Sequence, residues 1–415
     1  MRSLLRVFPN QFFASLAILG LIVGLVTSKV VLSVATITLM CNAFINIRAG
    51  SNFRKWFSDT TAMLCAALFL VYLFSGFWSS DIGYWVDRCR MKLPFLAIPL
   101  GFTAVKAMSE RAFHRWLGIY VVVIFGTSLV VLINYLMHYE TLNHDLTMGQ
   151  PIPAPLGDHI RFSLELAFAI ICGGYLWWKR FYFFSPKEHH WWGIITIFLA
   201  VCIHVFAVRS GISALYLALL IVILHSAFVR KKYLAAGMGI VSLFVIGYCS
   251  ATYIPSLKSR MDYFRYEITL IRAGDIKADH SDAQRLLSME YGLQVASQNI
   301  FFGVGAGDIK TEMNKLYEQH AQSDLVKSKM PHNMYIYFLA ATGMLGLLVF
   351  LLSVLYPWLS NKRYKNLLFS VFLVMMLFAF MAEHTLEIQL GTAYYLLFLL
   401  LIKKHIDDSN TPAYA

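Results

Sequence analysis

Long apolar runs alternate with short polar connections along almost the whole chain. A membrane-spanning helix needs about 20 mainly apolar residues, and roughly twelve such runs occur in the sequence. The approximate centres of these runs are Leu19, Ala35, Leu68, Pro99, Ile124, Ala169, Leu199, Leu219, Ser242, Gly346, Val374 and Phe398. The pattern predicts an all-α polytopic membrane protein with about 12 transmembrane helices.

Residues 252–331 depart from this pattern, because their apolar positions are spaced instead of continuous. Ser281 and Asp282 can cap a helix that runs to about Ser297, and Asp308 can cap a second helix. The expected apolar stripes are Leu286, Met289, Leu293 and Ala296 in the first helix, and Ile309, Met313, Leu316 and Tyr317 in the second. We therefore expect a helical periplasmic insertion before the tenth span.

The pattern of apolar runs predicts that the chain is divided into three parts. Residues 1–251 hold spans one to nine, residues 252–331 form the periplasmic helical loop, and residues 332–415 hold spans ten to twelve. The three parts make one membrane domain with an insertion.

The composition agrees with a membrane protein. Hydrophobic types make up 58% of the chain and charged types 14%, whereas soluble domains carry about 25% charged residues. The mean hydropathy of +0.61 excludes a soluble enzyme, a disordered chain and a secreted disulfide scaffold. The six cysteines show no CxxC or Cys/His ligand spacing, so neither a disulfide framework nor a zinc site is predicted.

The net charge of +12 would suggest a nucleic-acid ligand in a soluble protein. In a membrane protein, Lys and Arg concentrate in the cytoplasmic connections. With the N-terminus inside, 19 of the 35 basic residues fall on inner connections and six on short outer ones. The other ten lie in residues 252–331 beside ten acidic residues. The charge therefore indicates topology: both termini are expected in the cytoplasm, and no nucleic acid is expected as a partner.

Three polar residues at the predicted outer helix ends can carry chemistry. Arg209 lies between two apolar runs with almost no turn, and Arg285 lies on the first loop helix. A guanidinium matches phosphate oxygens and keeps its charge when desolvated, although a snorkelling or solvated arginine is the structural alternative. His332 opens the tenth span, where a neutral imidazole can accept a proton near pH 7 or simply cap the helix.

Four further residues are weaker candidates for the same outer site. Arg161 begins the sixth span and can equally pair with Glu165, and Arg88 lies at the outer interface. The other two are His384, at the outer end of the eleventh span, and Asn333, beside His332.

A glycine-rich stretch from Gly303 to Asp308 invites a nucleotide-binding interpretation, which we reject. It lacks the strand-to-helix context of a dinucleotide fingerprint and the Gly-Lys-Ser/Thr of a P-loop. A glycine-rich turn that leads into the Asp308-capped helix is sufficient, although its backbone donors could approach a phosphate.

These features, in this order, resemble the O-antigen ligase and polymerase superfamily. The matching motifs are Arg209-Ser210-Gly211, Arg285 in the loop helix, Phe302-Gly303-Val304-Gly305, His332-Asn333-Met334-Tyr335 and Gly343-Met344-Leu345-Gly346-Leu347. The topology is similar over most of the chain, and the motifs lie between about Ala207 and Leu347. Family members often carry a Glu shortly before the first Gly of the last motif, where this chain has Ala341.

The resemblance implies glycosyl transfer on the periplasmic face of a bacterial inner membrane. The donor would be a glycan on undecaprenyl pyrophosphate, and the acceptor a hydroxyl of lipid A-core or of another glycan. Arg209 and Arg285 would bind the pyrophosphate, His332 would take the proton of the acceptor hydroxyl, and the anomeric centre would invert. No Asp-x-Asp occurs in the chain, so neither a metal nor a cofactor is expected. Membrane lipids are the other expected partners.

Several functions remain open from the sequence. Ligation to lipid A-core is favoured over polymerisation or protein glycosylation, because one dominant outer loop ends directly at the His-Asn-x-Tyr helix. A transporter or lipid flippase is the alternative from another class. It predicts ionisable residues along a central path and paired halves with related patterns, and the sequence shows neither.

Overall fold

A computed structural model describes residues 10–45, 49–273, 281–320 and 328–410. All regular structure in these ranges is helical, which confirms the predicted all-α class. The first nine α-helices are α1 (Asn10–Thr27), α2 (Lys29–Ile45), α3 (Ala49–Ser58), α4 (Thr60–Ser75), α5 (Ile82–Lys92), α6 (Pro94–Thr103), α7 (Glu110–Met137), α8 (Tyr139–Thr147) and α9 (His159–Trp178). The other nine are α10 (His189–Val205), α11 (Arg209–Phe228), α12 (Tyr233–Tyr253), α13 (Pro255–Arg272), α14 (Ser281–Gln298), α15 (Ile309–His320), α16 (Met334–Leu359), α17 (Leu367–Ala382) and α18 (Gln389–Asn410).

Each of the twelve predicted span centres lies inside one of these helices. Within the described ranges, five helices are long and apolar enough to cross a membrane. These are α7, α9, α11, α12 and the stretch Met334–Lys365 that contains α16. A bent pair, Lys29–Ile45 with Gly50–Ser58, would bring the number to six. The protein is thus a multi-pass membrane protein, and the count of twelve spans stays a prediction. Both termini lie outside the described residues, so their cytoplasmic position stays a prediction as well.

Helix packing divides the chain into two compact units. The first consists of Met1–Met108, Ile276–Arg363 and Phe380–Ala415, and the second of Ser109–Asp275 and Tyr364–Ala379. The division predicted from the sequence is a different one, because it separates the membrane helices from the periplasmic loop. Helix packing does not test that division, which stays a prediction.

The core of the first unit contains α18. Every residue from Leu390 to Lys403 is buried, as expected for a helix that is apolar on all sides. The helix packs against α1, α2 and α6. Helices α1 and α2 approach each other closely because Gly20 faces Ala35, where a Cβ on the glycine would come within 2.9 Å of the alanine Cβ.

The second unit is built around α9, which packs against α7, α10 and α11. Small residues allow these helices to come close, as is common in membrane proteins. A Cβ on Gly173 would lie 2.4 Å from Thr196 Oγ1, and one on Gly211 would lie 2.5 Å from Ser163 Cβ.

Helix α16 is interrupted at Gly343, which has φ 67° and ψ −167°. The preceding loop fills the break with main-chain hydrogen bonds. Val304 N donates to Ala340 O at 2.9 Å, Gly305 N donates to Ala341 O at 3.0 Å, and Met344 N donates to Ile300 O at 2.8 Å. The interruption therefore leaves these helix-end groups satisfied, as buried backbone polar groups require.

The glycine-rich turn uses its own backbone donors inside the protein. Besides the two bonds to α16, Ala306 N donates to Ser75 Oγ and Gly307 N donates to Ser79 Oγ. The turn leads into α15 as predicted. The suggestion that its backbone donors could approach a phosphate is wrong, because these N–H groups already have acceptors.

The two predicted loop helices are confirmed as α14 and α15, but the buried face of α14 differs from the predicted stripe. Leu286 and Leu293 are about half exposed, at 52% and 51%, while the buried positions include Ala283, Ser288 and Gly292. A Cβ on Gly292 would lie 2.7 Å from a Pro331 side-chain carbon. The buried face therefore combines small residues with Tyr291 and Val295, and Ala296 is the buried member of the predicted stripe. Helix α13 was not predicted.

Candidate active site

Two buried carboxylates lie in the short segment between α17 and α18. Glu383 follows the end of α17 directly, and Glu387 ends a 3-10 turn just before α18. Each is only 3% exposed. Burying a carboxylate costs free energy unless it is paired. The partners of these two carboxylates therefore show where the buried charged groups of the first unit lie.

Glu383 joins two of the three principal sequence candidates. Its Oε2 lies 3.0 Å from His332 Nδ1, and its Oε1 accepts a hydrogen bond of 3.1 Å from Arg285 Nη2. The side chains of His332 and Arg285 are 17% and 33% exposed, whereas that of Glu383 is 4% exposed. A buried anion therefore holds a histidine and an arginine that both reach solvent.

His384 completes this group. Its ring lies edge-on to that of His332, with 5.3 Å between centroids, and stacks on Tyr337 at 6.2 Å. Its Nδ1 is 4.0 Å from Glu383 Oε2. We refer to Arg285, His332, Glu383 and His384 as the Glu383 cluster.

His332 and the following Asn333 are held in place by hydrogen bonds to two other helices. The backbone N of His332 donates to Ser288 Oγ of α14 at 3.2 Å. Asn333 is the N-cap of α16: its Oδ1 accepts from Tyr335 N and Ile336 N, and its Nδ2 donates to Met381 O at 3.1 Å. The structure thus gives Asn333 a capping and tethering position, as its residue type favours.

Glu387 has a separate set of cationic and phenolic partners. Lys92 Nζ donates to its Oε1 and, at 2.7 Å, to Leu386 O, and Tyr72 OH also donates to that carboxylate. Arg88 Nη1 lies 3.8 Å from Glu387 Oε2. Burial alone would raise the pKa of the Glu387 carboxyl, but Lys92 and Arg88 hold that pKa below its ordinary value. The carboxylate is therefore charged and fixes α4 and α5 to the segment before α18.

The ligand atoms of His332, Glu383 and His384 all lie within 4.8 Å of one another, a spacing that could hold a metal ion. Arg285 already places a positive charge on Glu383 at hydrogen-bond distance. A second cation on the same carboxylate would be repelled, so this arrangement favours the cluster without a metal. The predicted absence of a metal site stays a prediction.

Arg209 and Arg161 belong to the second unit. Arg209 is the first residue of α11, and its guanidinium lies 4.6 Å from the ring centroid of Phe264. Arg161 Nη1 pairs with Asp158 Oδ1 at 3.4 Å. Neither oxygen of Glu165 has a hydrogen-bond partner among the described residues. The structure therefore favours Asp158 over Glu165 as the partner of Arg161.

Sequence reasoning did not identify Glu383, Glu387 and Lys92 as site residues. A signal for the two acids exists, because they are the only acidic residues between positions 325 and 406. An acid in such an apolar environment has a functional or pairing role by default. Lys92 carries no comparable signal, since it ends a polar helix, α5, that already holds other basic residues.

The fold and the cluster define a class of protein: a multi-pass helical membrane protein with a charged centre where a span begins. Residues 161–351, somewhat less than half of the chain, match the model of a family described as O-antigen ligase. This match supports the resemblance to the O-antigen ligase superfamily, a ligase- or polymerase-like group of membrane glycosyltransferases. No curated protein matches the chain significantly.

The matched range contains Arg209, Arg285 and His332 but ends before Glu383, His384 and Glu387. The cluster is thus assembled from both sides of the boundary of the match. The contacts of Glu383 with His332 and Arg285 become visible only in the structure.

Proposed function

We propose that this protein is an inverting, metal-independent glycosyltransferase that moves a glycan from undecaprenyl pyrophosphate to an acceptor hydroxyl. The reaction we propose is ligation of O-antigen to lipid A-core in lipopolysaccharide biosynthesis. One observation carries the proposal: the Glu383 carboxylate contacts His332 with one oxygen and Arg285 with the other. The same buried carboxylate thus holds both the proposed base, His332, and the proposed phosphate-binding residue, Arg285.

His332 acts as the general base. When Nδ1–H donates a hydrogen bond to Glu383, the lone pair of Nε2 is available to the acceptor hydroxyl. The hydroxyl oxygen attacks the anomeric carbon as its proton passes to Nε2, and Glu383 stabilises the imidazolium that forms. Such base catalysis contributes about 10²–10⁴ in rate.

Arg285 binds the leaving pyrophosphate. As the bond between the anomeric carbon and the phosphate oxygen breaks, negative charge grows on that oxygen, and a nearby guanidinium stabilises it. Glu383 holds Nη2 of Arg285 and Asp282 lies 3.6 Å from Nη1, but the 33% exposure of the side chain leaves part of it open to a ligand. A single displacement of this kind inverts the anomeric centre. The same phosphate-binding role is proposed for Arg209.

A membrane-boundary location suits these substrates. The donor carries a prenyl chain and the acceptor a lipid anchor, so both stay in the bilayer while their polar ends react. The cluster lies where α16 begins, and α16 is part of one of the five membrane-span candidates. We place this end on the periplasmic face of the inner membrane, in line with the distribution of basic residues along the sequence.

The function is tested with purified protein in detergent. We expect the wild type to transfer glycan from undecaprenyl pyrophosphate to lipid A-core, and His332→Ala to lower kcat by about 10² or more. His190→Ala, which changes an exposed histidine of the second unit, is the matched control and should leave kcat unchanged. Near-normal transfer by His332→Ala in folded protein would rule out His332 as the base.

The donor role of Arg285 is measured in the same assay. Arg285→Lys keeps the charge but loses the planar fork, so we expect kcat/KM for the donor to fall by about tenfold or more. A lysine variant with unchanged donor use would contradict pyrophosphate binding by Arg285. A wild type without any transfer activity would favour a transporter or flippase.

The acceptor is identified in a deletion strain. Loss of a ligase leaves polymerised glycan on the prenyl carrier and none on lipid A-core. Loss of a polymerase instead leaves lipid A-core with a single repeat, and that surface profile would contradict ligation.

A further inference from the structure

Two cations converge on one aromatic ring in the first unit. The Arg88 guanidinium carbon lies 4.7 Å from the ring centroid of Tyr84, and Lys310 Nζ lies 5.7 Å from the same centroid. Tyr84 and Arg88 lie on α5, and Lys310 lies in the first turn of α15. Cations are attracted to aromatic faces at such distances, but one neutral ring cannot balance two positive charges.

Backbone contacts fix this arrangement, so it does not depend on long flexible side chains alone. The Asp308 carboxylate, immediately before α15, accepts hydrogen bonds from Ser80 N and Asp81 N at 2.8–2.9 Å. Asp81 in turn caps α5 by accepting from Tyr84 N at 2.8 Å. The first turns of α5 and α15 are therefore joined, which places Lys310 beside Tyr84.

Both cations retain capacity to bind an anion. Arg88 Nε is buried and has no acceptor among the described residues, and Arg88 Nη1 makes only a long bond of 3.4 Å to Glu387 O. The Glu387 carboxylate is held more closely by Lys92 than by Arg88. Lys310 is exposed and forms no ion pair with a described carboxylate. A buried donor without an acceptor costs free energy, so an incoming anion would be stabilised here.

We infer that Tyr84, Arg88 and Lys310 form a second anion site that binds a phosphoryl group of a substrate. The inference rests on the proposed transfer reaction, and it adds a second site at which the protein binds one of the two substrates. An arginine supplies a directional fork and a lysine a point charge, the pair of groups that phosphoryl oxygens favour. Arg88 contacts the backbone of Glu387, four residues after Glu383, so the site adjoins the cluster in the same unit. The phosphoryl group belongs either to the donor pyrophosphate or to a phosphorylated acceptor glycolipid.

Direct binding separates these two sources. Purified full-length protein is titrated with undecaprenyl pyrophosphate, with phosphorylated lipid A-core and with dephosphorylated lipid A-core. Arg88→Gln should weaken binding of a phosphorylated ligand about tenfold, and Lys310→Gln about threefold, because Lys310 is exposed. Lys315→Gln is the control: it lies on the same helix but is paired with Glu312, and it should change nothing.

The pattern of losses decides the source. Weaker binding of the prenyl donor alone assigns the site to the donor pyrophosphate. Weaker binding of phosphorylated acceptor, with no change for the dephosphorylated form, assigns it to the acceptor. Arg88 contacts Glu387, so the Arg88→Gln variant can fail to fold. If it does, the binding data for Lys310→Gln decide. Unchanged Kd values for both phosphorylated ligands overturn the second site while leaving transfer by His332 intact. A wild type that binds no ligand contradicts both proposals.

Discussion

At the scale of single residues, Glu383 determines how the histidine and the arginine of the cluster work together. It lies 51 residues after His332 and 98 after Arg285, yet each of its oxygens contacts one of them. A buried carboxylate between a histidine and an arginine orients both side chains through hydrogen bonds and balances positive charge on each of them. We regard Glu383 as a positioning residue, since we assign it no contact with the reacting atoms.

The positioning role predicts the behaviour of Glu383→Gln. The amide keeps the shape of the side chain but removes the negative charge that stabilises the imidazolium. We expect kcat per folded protein to fall about tenfold or more at saturating substrates. A purely structural role would instead lower the yield of folded protein at constant kcat.

The control is Glu290→Gln, on the exposed face of α14. It removes one carboxylate from the same region without touching the cluster. A kcat for Glu383→Gln within about twofold of this control would refute the positioning role.

His332 and Arg285 could be singled out because they stand at recognisable places, a helix start and an amphipathic loop helix. Glu383 could not be assigned to them, because no local spacing joins residues 51 and 98 positions apart. Arg88 could be named only as a weaker candidate for the outer site, because its neighbour Lys310 comes from α15.

At the scale of elements, the break in α16 determines how the loop is attached to the membrane helices. Gly343 has a positive φ of 67° with ψ near 180°, a combination essentially restricted to glycine. A Cβ there would lie 2.3 Å from the carbonyl carbon and oxygen of Phe301. Both the conformation and the space therefore exclude a side chain.

Gly343→Ala should destabilise the protein. We expect a cost of about 1–3 kcal/mol from the backbone conformation alone, seen as a lower unfolding temperature in detergent. Gly126→Ala is the control, because a Cβ there meets nothing within 4 Å in α7. Equal unfolding temperatures for the two variants would show that the loop does not depend on the break.

The helices also show which sequence patterns predict structure reliably. The twelve apolar centres all fall in helices because long apolar runs have few other stable forms in a membrane. The buried face of α14 was predicted correctly only at Ala296. The prediction counted large apolar residues such as Leu286 and Leu293, whereas the buried face also includes the small residues Ala283, Ser288 and Gly292. Helix α13 was missed because its charged residues hide any apolar stripe.

At the scale of the whole molecule, Glu387 contributes a pH-dependent part of the stability of the first unit. Its carboxyl has a lower pKa in the folded protein than its ordinary value of 4.5. The ionised form is therefore favoured in the folded state. This contribution is fully present above about pH 4.5 and is lost as the pH falls through the folded pKa.

Glu387→Gln should reveal this dependence in thermal unfolding. Removing one partner of a buried pair costs about 3–5 kcal/mol, so the variant should be much less stable than the wild type at neutral pH. The difference should shrink below about pH 4.5, where the wild type also loses the ionised carboxylate. A difference that stays constant across this range would contradict the assignment, and Glu290→Gln again serves as the control.

The position of Glu383 and Glu387 along the chain has a consequence for biosynthesis. The loop that closes the break in α16 is synthesised before α16 itself, so this contact can form as soon as the helix emerges from the ribosome. The two carboxylates follow α17 and immediately precede α18, the helix buried in the core of the first unit. His332 and Lys92 are therefore translated before the carboxylates that they contact, and Arg285 is translated with Asp282 as its only earlier acidic partner among the described residues. The charged centre is complete only after the segment between α17 and α18 has been added. A ribosome stalled before residue 383 would hold a nascent chain with most of its helices but with no assembled site.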